Sequence, residues 1–361
     1  RAMDNPFRIF YNTFNENFFK IHPYGQQTIL GSVEHLKNPS LTKMKQNFNE
    51  FYVPNNMYLI LTGDFDKRQV KGIIKKKFGR LKKGNSIEPL NIEENQFEGR
   101  EVVDLNITPY RIARIGFRTV KPNHPDAIVL DVMANIFNNS SKTGLIDKLN
   151  TENKILSASG YNSLGGKDHG GFGFGFIPKD DSQTFEEAES LIFEAIDKVK
   201  NGKFDEEILS SIKLSMKMSH ERSMEGSSGR LWKIMRIISK DLSWEDIKSY
   251  PERIDSINKD DIVNVANKYF NDNYLIVRSG KGDPAKVKLD KPPFKPVVPK
   301  NTEEKSEYAK SIDQIKSSKI KPRYVDFKKD VSFEDIKENV HFYYVGNPVN
   351  SIFTMNVQFG L

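Results

Sequence analysis

Five prolines, Pro284, Pro292, Pro293, Pro296 and Pro299, deny this chain a single continuous core. Each fixes its own φ and lacks a backbone N–H, so neither a helix nor a central strand can run through the segment. Residues 281–325 also hold twelve Lys/Arg against six Asp/Glu, a net +6 in a chain whose total is +7. A stiff, extended, solvated linker follows from that composition. Because the charge is local to the linker, the rest of the chain is near neutral and does not present itself as a nucleic-acid surface. The prolines thus separate a large unit before residue 281 from a short one after 325.

Apolar periodicity gives the elements on either side. Phe7, Ile9, Phe10, Phe14, Phe18 and Phe19 are spaced for a helix face, and His22-Pro23-Tyr24-Gly25 then breaks the pattern as a turn. Ser40 is a plausible N-cap for a helix striped by Leu41, Met44, Phe48 and Phe51. Met57–Thr62 reads as a buried strand, followed by a helix from Lys67 to Phe78 that Gly79 closes. Strands are expected at Arg100–Leu105, Arg111–Val120, Ile155–Leu164, Gly171–Ile177 and Tyr274–Val277. Helices are expected at Pro125–Phe137, from Phe204 along the Ile208, Ile212 and Met216 stripe, and at Gly229–Ser239, Trp244–Ser249 and Lys259–Tyr269. In the fourth strand Phe172, Phe174 and Phe176 alternate with Gly171, Gly173 and Gly175. Period-two geometry puts the rings on one face and bare backbone on the other, where a helix or loop can pack closely. Beyond the linker, Val340–Val345 and Ser351–Phe359 read as strands. This order of strands and helices indicates an α+β fold, not an alternating βαβ sheet.

The search for chemistry excludes more than it finds. There is no cysteine, which removes thiolate catalysis, disulfides and thiol-bound zinc. No apolar run approaches the ~20 residues of a membrane helix. The six histidines, His22, His35, His124, His169, His220 and His341, include no pair spaced as HExxH or HxxEH. Glu34-His35 comes nearest, but Gly31 stands where the first histidine belongs. Ser140-Ser141-Lys142-Thr143-Gly144 lacks the GxxxxGK[ST] frame of a phosphate loop, and no GxSxG elbow occurs.

Several short motifs in order carry a family resemblance: His22-Pro23-Tyr24-Gly25, Gly31-Ser32, Leu36, Asn38-Pro39-Ser40, Tyr52–Met57 and Leu59–Asp64, with a helix ending Phe78-Gly79. They resemble the second half of a catalytic-type module of the pitrilysin/insulinase (M16) zinc peptidases. Phe117-Arg118, Pro125-Asp126-Ala127 and Asn201–Phe204, before a helix with Glu207 and Lys213, resemble the family's second, non-catalytic module. The resemblance implies α+β modules, antiparallel sheets layered with helices, paired into half of a clamshell. It places the end of a first module at 1–95, a second at 96–280, the linker at 281–325 and the start of a third at 326–361. Arg1, without an initiator methionine, and Gly360-Leu361, straight after a strand-like run, then read as cuts within a longer protein.

By the same resemblance the parent is a zinc endopeptidase that degrades peptides in an enclosed chamber. The HxxEH ligands and the third-ligand glutamate would precede Arg1, so no catalytic or metal-binding residue is assigned here and this piece binds no zinc of its own. Where family modules resemble an arginine and a following tyrosine that clamp substrate, this sequence has Asn150 and Ser157, which supply neither a cation nor a phenol. The implied partners are peptide substrates and a missing C-terminal half of the same chain, and relatives suggest a bacterial periplasm or envelope. The alternative function is a catalytically inactive scaffold or peptide-binding subunit.

Overall fold

A computed structural model describes residues 5–29, 31, 35, 39–89, 91–284, 298, 300–316, 321–322 and 324–360. The chain separates into two compact units, Arg1–Ala285 and Lys286–Leu361. Ser32, Glu34, Leu36 and Asn38 of the motif region, and Pro292, Pro293, Pro296 and Pro299 of the linker, lie outside the described residues.

The first unit is built on a five-stranded sheet: β1 (Arg100–Thr108), β2 (Ile112–Thr119), β3 (Ser157–Gly165), β4 (Gly170–Ile177) and β5 (Tyr274–Lys281). Their spatial order is β1-β5-β2-β4-β3. Alternation decides which face each side chain takes. Ala113, Ile115 and Phe117 of β2 and Phe172, Phe174 and Phe176 of β4 are buried on one face. There they meet α5 (Asp126–Phe137), α7 (Phe185–Lys200) and α12 (Lys259–Tyr269), through Phe137, Ile192, Ile196, Ile262 and Phe270. The Phe137 and Phe174 rings stand edge to face with centroids 4.9 Å apart. The helix α7 was not anticipated, although Thr184 and Glu187 cap it reciprocally at 3.1 and 2.7 Å, a spacing visible in sequence.

The opposite face carries the glycines, and α1 (Pro6–Phe18) packs on it. Phe10, Phe14 and Phe18 are fully buried there. A Cβ at Gly116 would lie 2.6 Å from the Phe14 ring, and one at Gly171 2.7 Å from Leu164 and 2.8 Å from Phe18. Glycine is required at these positions because the rings occupy the space a side chain would need. Each buried phenylalanine contributes ~1.5–3 kcal/mol, so the bare stripe is what lets α1 hold on. The sheet is therefore layered between helices on both faces.

One edge departs from an all-antiparallel sheet. β2 pairs antiparallel with β5 and β4, and β3 with β4, but β1 and β5 run parallel, Arg100 opposite Tyr274. The chain between them crosses through the helical layer instead of turning back as a hairpin, which a parallel pair requires. No local pattern reports a pairing at that separation.

Between α1 and the sheet's first strand lie α2 (Pro23–Gln26), α3 (Leu41–Phe51) and α4 (Lys67–Phe78). Ser40 caps α3 as expected, its Oγ accepting from Lys43 N at 3.3 Å. The α3 stripe of Leu41, Met44, Phe48 and Phe51 is nevertheless exposed, and Met57–Thr62 forms no strand. An extended apolar run becomes a strand only when a neighbour completes its ladder, and none does so among the described residues. The remaining helices are α6 (Leu145–Thr151), α8 (Glu206–Glu225), α9 (Ser227–Lys240), α10 (Trp244–Lys248) and α11 (Tyr250–Ser256). Among the described residues no helix is long and apolar enough to cross a membrane.

The second unit contains α13 (Glu307–Asp313) and a hairpin of β6 (Ser332–Lys337) and β7 (Val340–Tyr344). Asn339 takes the left-handed turn position at φ 61°. Every residue of the hairpin is exposed. The strand expected over Ser351–Phe359 does not form, for the same lack of a partner.

Candidate functional site

The turn His22-Pro23-Tyr24-Gly25 is where distant parts of the first unit converge. Pro23 occupies the first position of α2, where its missing N–H costs nothing, and His22 caps the helix by accepting the Tyr24 N–H on Nδ1 at 3.2 Å. The Tyr24 hydroxyl reaches the tip of the β3–β4 hairpin, accepting from Lys167 N at 2.9 Å and donating to Asp168 at 3.2 Å. A Cβ on Gly166 would stand 2.5 Å from the Tyr24 ring, so glycine there is part of the fit. The His22 and His169 rings meet edge to face at 4.9 Å, and His169 Nε2 bonds the Ile92 carbonyl at 2.8 Å.

Glu94 locks the junction from the other side. Its nearly buried carboxylate accepts the N–H groups of Lys20 at 3.0 Å, Ile21 at 2.8 Å and His22, and faces Arg118 at 3.3 Å. Burial by itself would raise the Glu94 pKa, but these backbone donors and the Arg118 charge outweigh it and hold the group low. Arg118 also donates to the Phe18 carbonyl at 2.6 Å and to the Asn95 carbonyl. An open cavity of about 240 Å³ borders these groups, lined by Phe19, Glu94, Gln96, Arg118, Thr119 and His169. Glu94 already neutralises Arg118, and the other charged group lining the cavity, Glu93, is an exposed carboxylate.

His22 does not fit a zinc ion. His22 Nδ1 accepts a backbone N–H, so in the neutral ring the proton sits on Nε2, which is buried without a hydrogen-bond partner and 3.7 Å from Asp168 Oδ2. A metal on Nε2 would need that proton removed while Nδ1 still accepts its own, leaving an imidazolate. Among the described residues no group of three or more His, Cys, Asp or Glu could hold a metal.

The junction is pH-sensitive. Burial and the neighbouring His169 hold the His22 pKa below its ordinary value, against the opposing pull of Asp168 and Glu94. A histidine kept neutral by the fold binds fewer protons than the unfolded chain once pH drops below ~6.5, so its share of stability is lost from there downward. His220, also depressed by burial and by Lys233, adds the same sign. His22→Asn keeps a capping oxygen but cannot titrate, so it should lose less Tm between pH 7 and pH 5 than the parent does. Equal losses in the two melting series would remove His22 from the effect.

The two positions compared with a substrate-clamping pair are placed as follows. Asn150, in α6, donates Nδ2 to the Ala158 carbonyl at 2.9 Å and accepts the Ala158 N–H on Oδ1 at 2.7 Å. Its amide thus imitates a strand partner at the start of β3. Ser157 is exposed on that strand, opposite Ile177. Around the loop of Ser140–Gly144, donors from both ends converge on buried Asp147, which accepts Asn138 Nδ2 at 3.0 Å, Asn139 N at 2.9 Å and Gly144 N at 3.3 Å. No phosphate cradle forms there. Asp147 escaped the sequence reading, although its place three residues after Gly144 is a capping spacing. Among the other histidines, His124 accepts the Asp126 N–H, His220 stacks on Tyr250 and His341 pairs with Asp335.

Comparison with known proteins follows the same lines. Residues 40–216 match the family described as "Peptidase M16 inactive domain". The curated "Zinc protease PqqE" of Helicobacter pylori is 22% identical over 279 residues, covering 75% of this chain and 62% of that protein. The chain therefore spans about three fifths of that relative's length. A solved protease from Helicobacter pylori superposes with a TM-score of 0.70 at 22% identity, over 77% of this chain and 68% of that one. The periplasmic protease PqqL of Escherichia coli has a TM-score of 0.64 at 12% identity, over 94% of this chain and 39% of its own.

Proposed function

We propose that this chain, whose residues 40–216 match the M16 inactive-type domain, forms non-catalytic wall of a zinc-dependent endopeptidase that encloses its peptides. On this reading residues 1–95 close one module, 96–280 make a second, 281–325 link and 326–361 open a third. The metal ligands and general base belong to a different stretch of the whole protein. The observation that carries the reading is Asn150: both ends of its amide are held by the Ala158 backbone, which fixes the side chain as a strand partner and gives it no cation to offer a substrate. The His22 tautomer supports it, since a cation on His22 Nε2 would have to displace the proton that the Tyr24 N–H on Nδ1 places there.

The test is metal analysis of the purified chain after dialysis, with a quenched-fluorescence peptide assay. The expected result is neither stoichiometric zinc nor chelator-sensitive hydrolysis. Chelator-sensitive cleavage tracking one zinc per chain would overturn it. The scaffold or peptide-binding reading, favoured by the inactive-type match, is separated by the longer protein. Zinc-dependent hydrolysis there supports the enzyme, whereas peptide binding without turnover supports the scaffold.

A further inference from the structure

The sheet carries an arginine that the docking junction does not use. Arg100, Arg118 and Arg278 each face a carboxylate, namely Glu189, Glu94 and Asp104 with Glu186. Arg114, on β2, pairs with no carboxylate among the described residues, and its buried Nε has no hydrogen-bond partner. Aromatic rings hold it instead: its guanidinium carbon lies 4.4 Å from the Phe14 centroid, 5.0 Å from Tyr11 and 5.3 Å from Tyr161. Those rings fix the plane of the fork but leave its charge uncompensated.

The space beside it is shaped by register. Arg114 and Ser159 both sit opposite Gly175, so the three form one row across β2, β4 and β3. Gly175 is the bare centre of that row: a Cβ there would meet only the Tyr161 ring, at 4.0 Å. The result is a cleft of about 310 Å³ with Phe10, Tyr11 and Ile112 as apolar walls and Arg114, Ser157 and Ser159 as polar groups.

The geometry points to a binding site for a monocarboxylate that carries an apolar body about one amino-acid residue in size. A planar guanidinium matches a carboxylate bidentately, two serine hydroxyls stand ready to donate, and the apolar walls take the rest. A phosphate dianion is a poorer match, because no second cation lines the cleft. This inference does not rest on the peptidase reading and stands or falls separately from it.

Titration calorimetry of the full chain with N-acetyl-leucine, N-acetyl-leucinamide and inorganic phosphate tests it. The acid should bind at least about tenfold more tightly than the amide, the scale of a lost charge-assisted pair, and more tightly than phosphate. Arg114→Gln should abolish the preference for the acid. Gly175→Val should block the acid while leaving the melting temperature within a few degrees, since a Cβ there meets nothing nearer than 4.0 Å. Equal binding of acid and amide by the unaltered chain, tighter binding of phosphate, or undiminished acid binding by a folded Gly175→Val would overturn the assignment.

Discussion

Glu94→Ala should lower the melting temperature of the first unit by roughly 10 °C, from a loss of about 3–5 kcal/mol. The carboxylate satisfies three successive backbone N–H groups and is the counter-charge of Arg118, whose side chain is 12% exposed. Removing it leaves a mostly buried cation and those donors unpaired together, which is the costly half of breaking a buried pair. Glu94→Gln keeps an acceptor oxygen and should lose less. The pH window follows from the depressed pKa of Glu94: its contribution is present above the ordinary ~4.5 and disappears as pH falls through the folded value. Differential scanning calorimetry of both variants from pH 8 to pH 4 checks the ordering. An alanine variant that melts with the parent at pH 7 would mean the junction contributes nothing to stability.

Asn150→Ala should cost about 2–4 kcal/mol, because it strips partners from both the N–H and the carbonyl of Ala158. Ala158 is 5% exposed, so water cannot fully replace the lost amide. Ser157→Ala, one residue away and exposed on β3, should stay within ~0.5 kcal/mol. The contrast separates a structural amide from a substrate contact, since a substrate contact at Asn150 would change binding without lowering stability. Denaturant unfolding of the two variants measures it. Equal midpoints would show that the two hydrogen bonds of Asn150 carry no net stability.

Much of the architecture could be read locally. The Phe172, Phe174 and Phe176 alternation specified a strand with one apolar and one bare face, and both faces are used in that way. The α12 bounds, the Ser40 cap and the β7 hairpin strand follow from propensity and spacing that each segment carries within itself. Where a pattern needed a partner, local reading reached too far. Among the described residues Met57–Thr62 has the composition of a strand but no ladder to join, and the α3 stripe stays exposed.

The sequence by itself determined most of the helices and sheet strands of the first unit, the apolar and bare faces of β4, and that the chain lacks thiol chemistry and closely spaced histidine ligands. Those properties depend on residues a few positions apart, where φ preferences and 2.0 or 3.6 periodicity act. Tertiary structure alone decided that β1 lies parallel to β5, that Glu94 meets the His22 turn, that His22 faces His169, and that Arg114, Gly175 and Ser159 share one row. Each of those contacts joins groups from separate elements. Their meeting is set by how the sheet, α1 and the helical layer bury apolar surface together, and that collective free energy leaves no signature in any one segment.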